Sequence, residues 1–288
     1  MTTGVRVQYG IYLPTFGEYC NPRTLANLAA DAESAGWDGF FIWDHMLGER
    51  SATLAVGDPW IALVAIAMRT EFIRLGPLVT PLPRRRPWKV ARETVALDHL
   101  SGGRLILGVG LGYPPDADFA MFGEETDDSV RAEKLDEGLE ILTGLWSGRP
   151  YSHRGAQYQI QETVFLPPPV QVPRIPIWVG GVWPHRRPFR RAARWDGVVP
   201  MRVGLGLDMM PPDDLRDIVT YVQRHRATPA PFDVALLGYT AGDDRARGAE
   251  IVAPYVDAGL TWWLEGLHAW RGPFPDMRRR VRQGPPKL

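Results

Sequence analysis

Apolar positions along the chain change period repeatedly, and each change marks a passage between strand and helix. Val5 to Leu13 is a largely apolar run that stops at Pro14, the mark of a first strand. Asn21-Pro22 opens a helix, since asparagine accepts from free N–H groups and proline fits the first turn. Leu25, Leu28, Ala29 and Ala32 give that helix one apolar face, and Gly36 closes it. Trp37 to Trp43 is a second strand. Asp58-Pro59 repeats the cap-and-proline start before an apolar helix over Trp60 to Met68, and Phe72 to Thr80 is a third strand. Val90, Thr94, Leu97 and Leu100 recur at helical spacing, and Ser101-Gly102-Gly103 ends their helix. Arg104 to Val109 then follows as a short apolar run, as in a strand buried on both faces.

The middle of the chain is less regular. Tyr113 to Asp128 reads as a loop, and Leu135, Leu139, Leu142 and Trp146 as the stripe of a long helix. About 148–174 reads as an insertion on the outside of the fold, with a hairpin turn at Arg154-Gly155 and the tract Pro167-Pro168-Pro169. Alternation resumes with a strand over Ile175 to Val179 that ends at Gly180-Gly181. A helix over Pro188 to Trp195, a strand over Gly197 to Pro200 and a helix over Pro212 to His225 come next. A strand over Val234 to Tyr239, a helix over Ala241 to Ala258 and a strand over Leu260 to Leu264 precede a basic, helical tail from Pro273. About eight strands thus alternate with about eight helices, in a length near the roughly 250 residues of a (β/α)8 barrel. The expected fold is α/β: a single (β/α)8 TIM-barrel domain over residues 1–288, with its insertion after the fourth strand unit. An open doubly wound sheet produces the same alternation and is the alternative.

Composition narrows the function. Basic and acidic residues balance at 33 each, for a formal net charge of +0, which argues against nucleic acid and anionic membranes as partners. The single cysteine, Cys20, cannot form an internal disulfide framework, as expected in a reducing cytosol. Met1 to Gly10 lacks the charged-then-apolar order of a secretory signal, and no uncharged apolar run reaches the roughly 20 residues of a membrane span. A cytoplasmic protein is expected.

Candidate chemistry gathers at predicted strand ends. Gly108-x-Gly110-x-Gly112 first suggests dinucleotide binding, but Pro114-Pro115 forbid the helix that would receive a pyrophosphate. What remains is a bare strand end that a flat ligand could approach. Asp44-His45 follows the second strand, where barrel enzymes keep catalytic groups. Histidine passes protons near neutrality, and Asp44 could orient it, although neighbours on a strand point to opposite faces. His99, His153, His185, His225 and His268 are isolated, and no metal-binding spacing or nucleophile elbow is present. Gly180-Gly181 with the basic segment His185 to Arg191 would suit a phosphate, and Arg131 is a second candidate anion contact. Trp43, Trp60, Trp183, Trp262 and Trp263 fall near strand ends and could wall a planar cofactor.

Taken together, Trp37 to His45, Ile73 to Pro81, Leu97 to Gly112 and Ile175 to Gly181 resemble the bacterial luciferase-like superfamily of flavin- or deazaflavin-dependent oxidoreductases. The resemblance implies reduced FMN, used with O2 in a monooxygenase reaction, or alternatively coenzyme F420, at the carboxyl face of the barrel. It implies His45 in proton transfer with Asp44 beside it, and Leu78-Val79 as a bulge, often a cis peptide, that backs the ring. Gly108 and Gly110 would lie near the cofactor, Gly180 and Gly181 at its phosphate turn, and Arg131 on the phosphate. In the F420 version, Arg84 to Arg86 would meet the cofactor's acidic tail. Where the luciferases themselves carry a phosphate-binding arginine and a reactive cysteine, this chain has Leu111 and Gly110. The implied partners are a small organic substrate, a separate flavin reductase and a second copy of the chain in a homodimer. Substrate choice is expected from Tyr113 to Asp128 and Tyr151 to Val172. A catalytically silent ligand-binding barrel and a metal-dependent barrel hydrolase are the rival functions.

Overall fold

The computed structural model describes residues 6–47 and 53–286, so Val5 of the expected first strand lies outside the described residues. β1 (Gln8–Leu13) and β2 (Gly39–Ile42) run parallel, joined by α1 (Pro22–Ser34), and α2 (Pro59–Arg69) leads to β3 (Arg74–Pro77). Both cap-and-proline starts form. The Asn21 side chain accepts from the Arg23 N–H at 2.8 Å, and Asp58 accepts from the Ile61 N–H at 2.8 Å. The third strand is interrupted: the Leu78–Val79 peptide is cis, and pairing resumes at β4 (Thr80–Pro81). β3 pairs with β2, whereas β4 pairs with β5 (Leu107–Gly110), which follows α3 (Pro87–Leu100).

Next come α4 (Pro115–Asp118), α5 (Asp128–Trp146) and the antiparallel hairpin β6 (Tyr151–Arg154) and β7 (Gln159–Thr163). The second half runs β8 (Ile177–Trp183), α6 (Arg186–Ala192), β9 (Gly197–Arg202), α7 (Pro212–His225) and β10 (Asp233–Gly238). It ends with α8 (Arg245–Asp257), β11 (Trp262–Gly266) and α9 (Phe274–Arg282). The main sheet has the order β3-β2-β1-β11-β10-β9-β8-β5-β4. A parallel bridge from Leu75 to Leu105 joins its two ends, with the Ile106 N–H donating to the Leu75 carbonyl at 2.9 Å. With β3 and β4 taken as one interrupted strand, the sheet closes into a (β/α)8 barrel. That closure excludes the open doubly wound alternative.

Side chains alternate along each strand, so every second residue points into the barrel. Phe41, Leu78, Ile106, Trp178, Trp262 and Leu264 fill it, and the outer faces pack against the helices. The large rings fit because glycines face them. A Cβ on Gly39 would stand 2.5 Å from the Phe41 ring and 2.7 Å from the Trp262 ring, and one on Gly197 2.4 Å from Trp178. The 148–174 segment packs on the outer helices α3 and α5. Glu137 accepts from the N–H groups of Gln157 and Tyr158, both at 3.0 Å, and Asp98 accepts from those of Val170 and Gln171 at 2.8 and 3.1 Å.

Candidate active site

Loops leaving the carboxyl ends of the strands gather at one rim, and that of β2 carries Trp43, Asp44 and His45. Asp44 and His45 do not meet. Asp44 is buried, takes the Thr80 hydroxyl at 2.9 Å, and receives Arg85 on both oxygens at 2.9 and 2.8 Å. Arg84 adds a fourth bond to Asp44 at 3.1 Å. The expectation that Asp44 orients His45 is corrected, because alternation turns the two side chains to opposite sides. Asp118, at the end of α4, takes that place: His45 Nδ1 lies 2.7 Å from its Oδ2.

The other oxygen of Asp118 accepts from the backbone N–H groups of Met46 and Leu47 at 3.0 and 2.8 Å. Arg84 Nη1 stands 3.4 Å from Asp118 Oδ2, so one guanidinium bridges Asp44 and Asp118. Burial pushes the Asp118 carboxyl up. The His45 ring, the Leu47 N–H and the Arg84 charge outweigh burial and hold it below the usual carboxylate range. An ionised Asp118 places the Nδ1 proton of His45 between them, leaving Nε2 as the edge that can take or give a proton. The His45 ring rests against Phe16 and Trp43, with centroids 5.4 and 5.9 Å away.

Other expected residues divide. Leu78 is buried in the barrel, and Val79 is partly exposed at the rim. Gly108 and Gly110 are bare to admit this bulge: a Cβ on Gly108 would stand 2.4 Å from Leu78 Cδ2, and one on Gly110 2.8 Å from Val79 Cγ2. Gly108 is thus buried beneath Leu78 and is not an open ligand surface, which corrects its expected role. Gly180 and Gly181 lie inside β8, not in a turn after it, because β8 stays paired with β9 as far as Trp183. Gly180 faces Val79 and Gly181 faces Pro188 of α6.

Arg131 is buried, donates to the carbonyls of Leu111 and Gly112 at 3.1 and 3.0 Å, and pairs with Asp128. It pins the loop after β5 to α5, which corrects the expected phosphate contact. Arg84 and Arg85 are likewise engaged by Asp44 and Asp118, which corrects the expected contact with an acidic tail for these two, whereas Arg86 is exposed over the Trp88 ring at 5.8 Å. The segment Tyr151 to Val172 packs on the outer helices, and its Tyr158 ring meets Trp88, at the start of α3, edge-on at 6.2 Å.

Sequence reasoning missed the far side of the rim. Trp270 stacks on Trp43 at 6.4 Å and 18°, and the Tyr12 ring lies 5.6 Å from Trp43. Tyr239 Oη stands 3.1 Å from His268 Nε2. Of the tryptophans expected to form walls, Trp262 fills the barrel, Trp60, Trp183 and Trp263 pack in the outer core, and Trp43 alone of these reaches this cluster. Among the described residues, no group of three or more His, Cys, Asp or Glu could hold a metal ion, and no helix is long and apolar enough to cross a membrane.

The pattern of the luciferase-like monooxygenase family matches residues 6–279. The chain belongs to that family. It is similar to an F420-dependent glucose-6-phosphate dehydrogenase of Microbacterium testaceum (strain StLB037), 28% identical over 191 residues, 64% of this chain and 53% of that protein. The chain spans about half the length of the first curated relatives it matches. Its fold is similar to that of an F420-dependent secondary alcohol dehydrogenase in complex with an F420-acetone adduct, with a TM-score of 0.79 at 15% identity, covering 96% of this chain and 97% of that one. It is also similar in fold to the oxygenating constituent of 3,6-diketocamphane monooxygenase from Pseudomonas putida in complex with FMN. There the TM-score is 0.71 at 16% identity, covering 96% of each chain. Members of this family are thus F420- or flavin-dependent oxidoreductases and monooxygenases.

Proposed function

We propose that the carboxyl rim holds a flat redox ring, coenzyme F420 or reduced FMN, and that the protein is an oxidoreductase of a small organic substrate. The His45–Asp118 pair carries this reading, because it fixes an imidazole with one edge left for proton transfer at a barrel rim. The residues present fit such a ring. Val79 fills the space that Gly110 and Gly180 leave, and so offers a blunt apolar floor. The buried Trp43 indole N–H has no partner, as suits a donor to a ring carbonyl. Val79 and Trp43 would hold the ring, and the exposed Arg187 at the start of α6 would meet a phosphate, beside Arg186, which lies over the Trp183 ring at 3.8 Å. Such a cofactor supplies the electron pair exchanged with the substrate, directly for F420 and together with O2 for reduced FMN. His45 Nε2 takes a proton from a substrate hydroxyl, or returns one, while Asp118 holds the tautomer.

F420 is the first cofactor to test, since the relative at 28% identity is named for it, whereas the FMN likeness rests on fold at 16% identity. The reading includes a second copy of the chain as partner. On the outer side of α2, Ile61 and Met68 are 62% and 70% exposed, with Phe72 just beyond at 79%. Such a stripe suits a self-complementary contact. If FMN is used, a separate flavin reductase supplies it reduced. Titrating the purified protein with F420, FMN and FMNH2 tests the reading. Binding in the micromolar range is expected for one of them, and no binding below about 1 mM for any overturns it.

A further inference from the structure

Closure of the barrel places β11 between β10 and β1, so the loops after β10 and β11 stand beside Tyr12 and Trp43. On this side the hydrogen-bond pattern settles each proton. The Arg271 backbone N–H donates to His268 Nδ1 at 3.1 Å, so that nitrogen carries a lone pair. The ring proton of neutral His268 is then on Nε2, which donates to Tyr239 Oη at 3.1 Å. The Tyr239 hydroxyl in turn donates to the Leu207 carbonyl at 2.8 Å. Burial lowers the pKa of His268, with the nearby Arg271 charge acting in the same direction, and burial raises that of Tyr239 to about 12. Both groups are therefore neutral and already paired.

The nearest cation is also engaged. Arg271 donates to Glu265 at 2.6 Å and to the carbonyls of Gly266 and Thr240 at 2.6 and 2.7 Å. Around this neutral pair stand aromatic rings. Trp270 is 58% exposed, lies 5.5 Å from the His268 ring and stacks on Trp43. Phe16 meets Trp43 edge-on at 5.9 Å. Trp43 keeps one unpaired donor, its indole N–H. This aromatic cluster holds no free cation among the described residues, and the Asp208 charge reaches Tyr239, so an anion is disfavoured, its desolvation offset by nothing there. Exposed Arg186 and Arg187 follow β8, which the strand order sets across the barrel from β1.

We infer that the recess between Trp43, Trp270, His268 and Tyr239 takes a neutral, predominantly apolar substrate, with Trp270 as its outer wall. Phosphorylated and carboxylated compounds are excluded from it. This substrate class rests on the redox reading above, but the binding it implies does not require a cofactor. The test is calorimetric or saturation-transfer titration of the cofactor-free full chain with two probes of like size, cyclohexanol and cyclohexanecarboxylate, and with glucose 6-phosphate. Cyclohexanol should bind at least about tenfold more tightly than either anion. Trp270→Ala should weaken cyclohexanol about fivefold, and Trp270→Phe should restore it to within about twofold of the native chain. An anion binding as tightly as cyclohexanol, or an unchanged cyclohexanol affinity in Trp270→Ala, overturns the inference. Failure of every cofactor to bind, with cyclohexanol still bound through Trp270, overturns the redox reading and leaves the recess intact.

Discussion

Two histidines stand on the same rim with one ring nitrogen each held by a side chain, and they are prepared for opposite tasks. His45 faces the Asp118 carboxylate, which accepts from Nδ1 and so fixes the tautomer. His268 faces the Tyr239 hydroxyl and the Arg271 backbone N–H, which fix a tautomer and leave added charge uncompensated. The difference does not lie in the histidines. It lies in the partner itself: an ionised carboxylate held by His45, the Leu47 N–H and Arg84 on one side, and on the other a phenol that burial keeps neutral although Arg271 lies over its ring at 5.3 Å.

The largest way to break this contrast is to remove the Arg84 cation. Arg84→Met leaves Asp44 and Asp118 buried with less compensation and should cost about 3–5 kcal/mol, read as a lowered denaturant midpoint. Less than about 1 kcal/mol would mean that Arg84 does not hold the pair. Next comes His45→Ala, expected to slow turnover about 10²-fold or more while the cofactor titrates nearly as before. Unchanged turnover removes His45 from the chemistry.

Asp118→Asn should lower kcat about tenfold and move the acid limb of the pH–rate profile, a change that a purely structural role would not produce. Its pKa is depressed in the folded state. The stability it confers is therefore complete above the unfolded carboxylate value of about 3.9 and is lost as pH falls through the folded value. Denaturant midpoints from neutral pH downward should show a shallower acid loss in Asp118→Asn. The smallest effect belongs to His268→Gln, which keeps a donor toward Tyr239 and should change kcat less than about threefold. A hundredfold loss there would erase the contrast.

Much of the scaffold was legible because its signals are local. Asn21-Pro22 and Asp58-Pro59 act within one helical turn, so no distant partner is needed to read them. Strand limits were less legible where pairing decides them. β8 runs through Gly180 and Gly181 because β9 pairs with it as far as Trp183, and a glycine pair alone reads as an end. Of the proposed site, His45, Trp43 and Val79 were legible, but the partner of His45 was not. Asp118 lies 73 residues from it in the chain, on one turn of helix inside what reads as a loop. Asp44, adjacent in sequence, drew the role that distance concealed. Arg131, Arg84 and Arg85 looked available because their carbonyl and carboxylate partners appear only on folding. His268 and Trp270 carried no motif, and barrel closure alone brings them to Trp43.

The glycines inside the barrel constrain how such a chain can diverge. Gly39 is bare against Phe41 and Trp262, and Gly197 against Trp178, so neither side of a pair can change size alone. A methyl gained at the glycine needs volume surrendered by the ring, and a ring shortened first leaves a void until the glycine grows. Drift through these positions therefore proceeds by coupled exchanges at constant total volume. Residue identities in the barrel can turn over in pairs while the wall that carries the rim stays where it is.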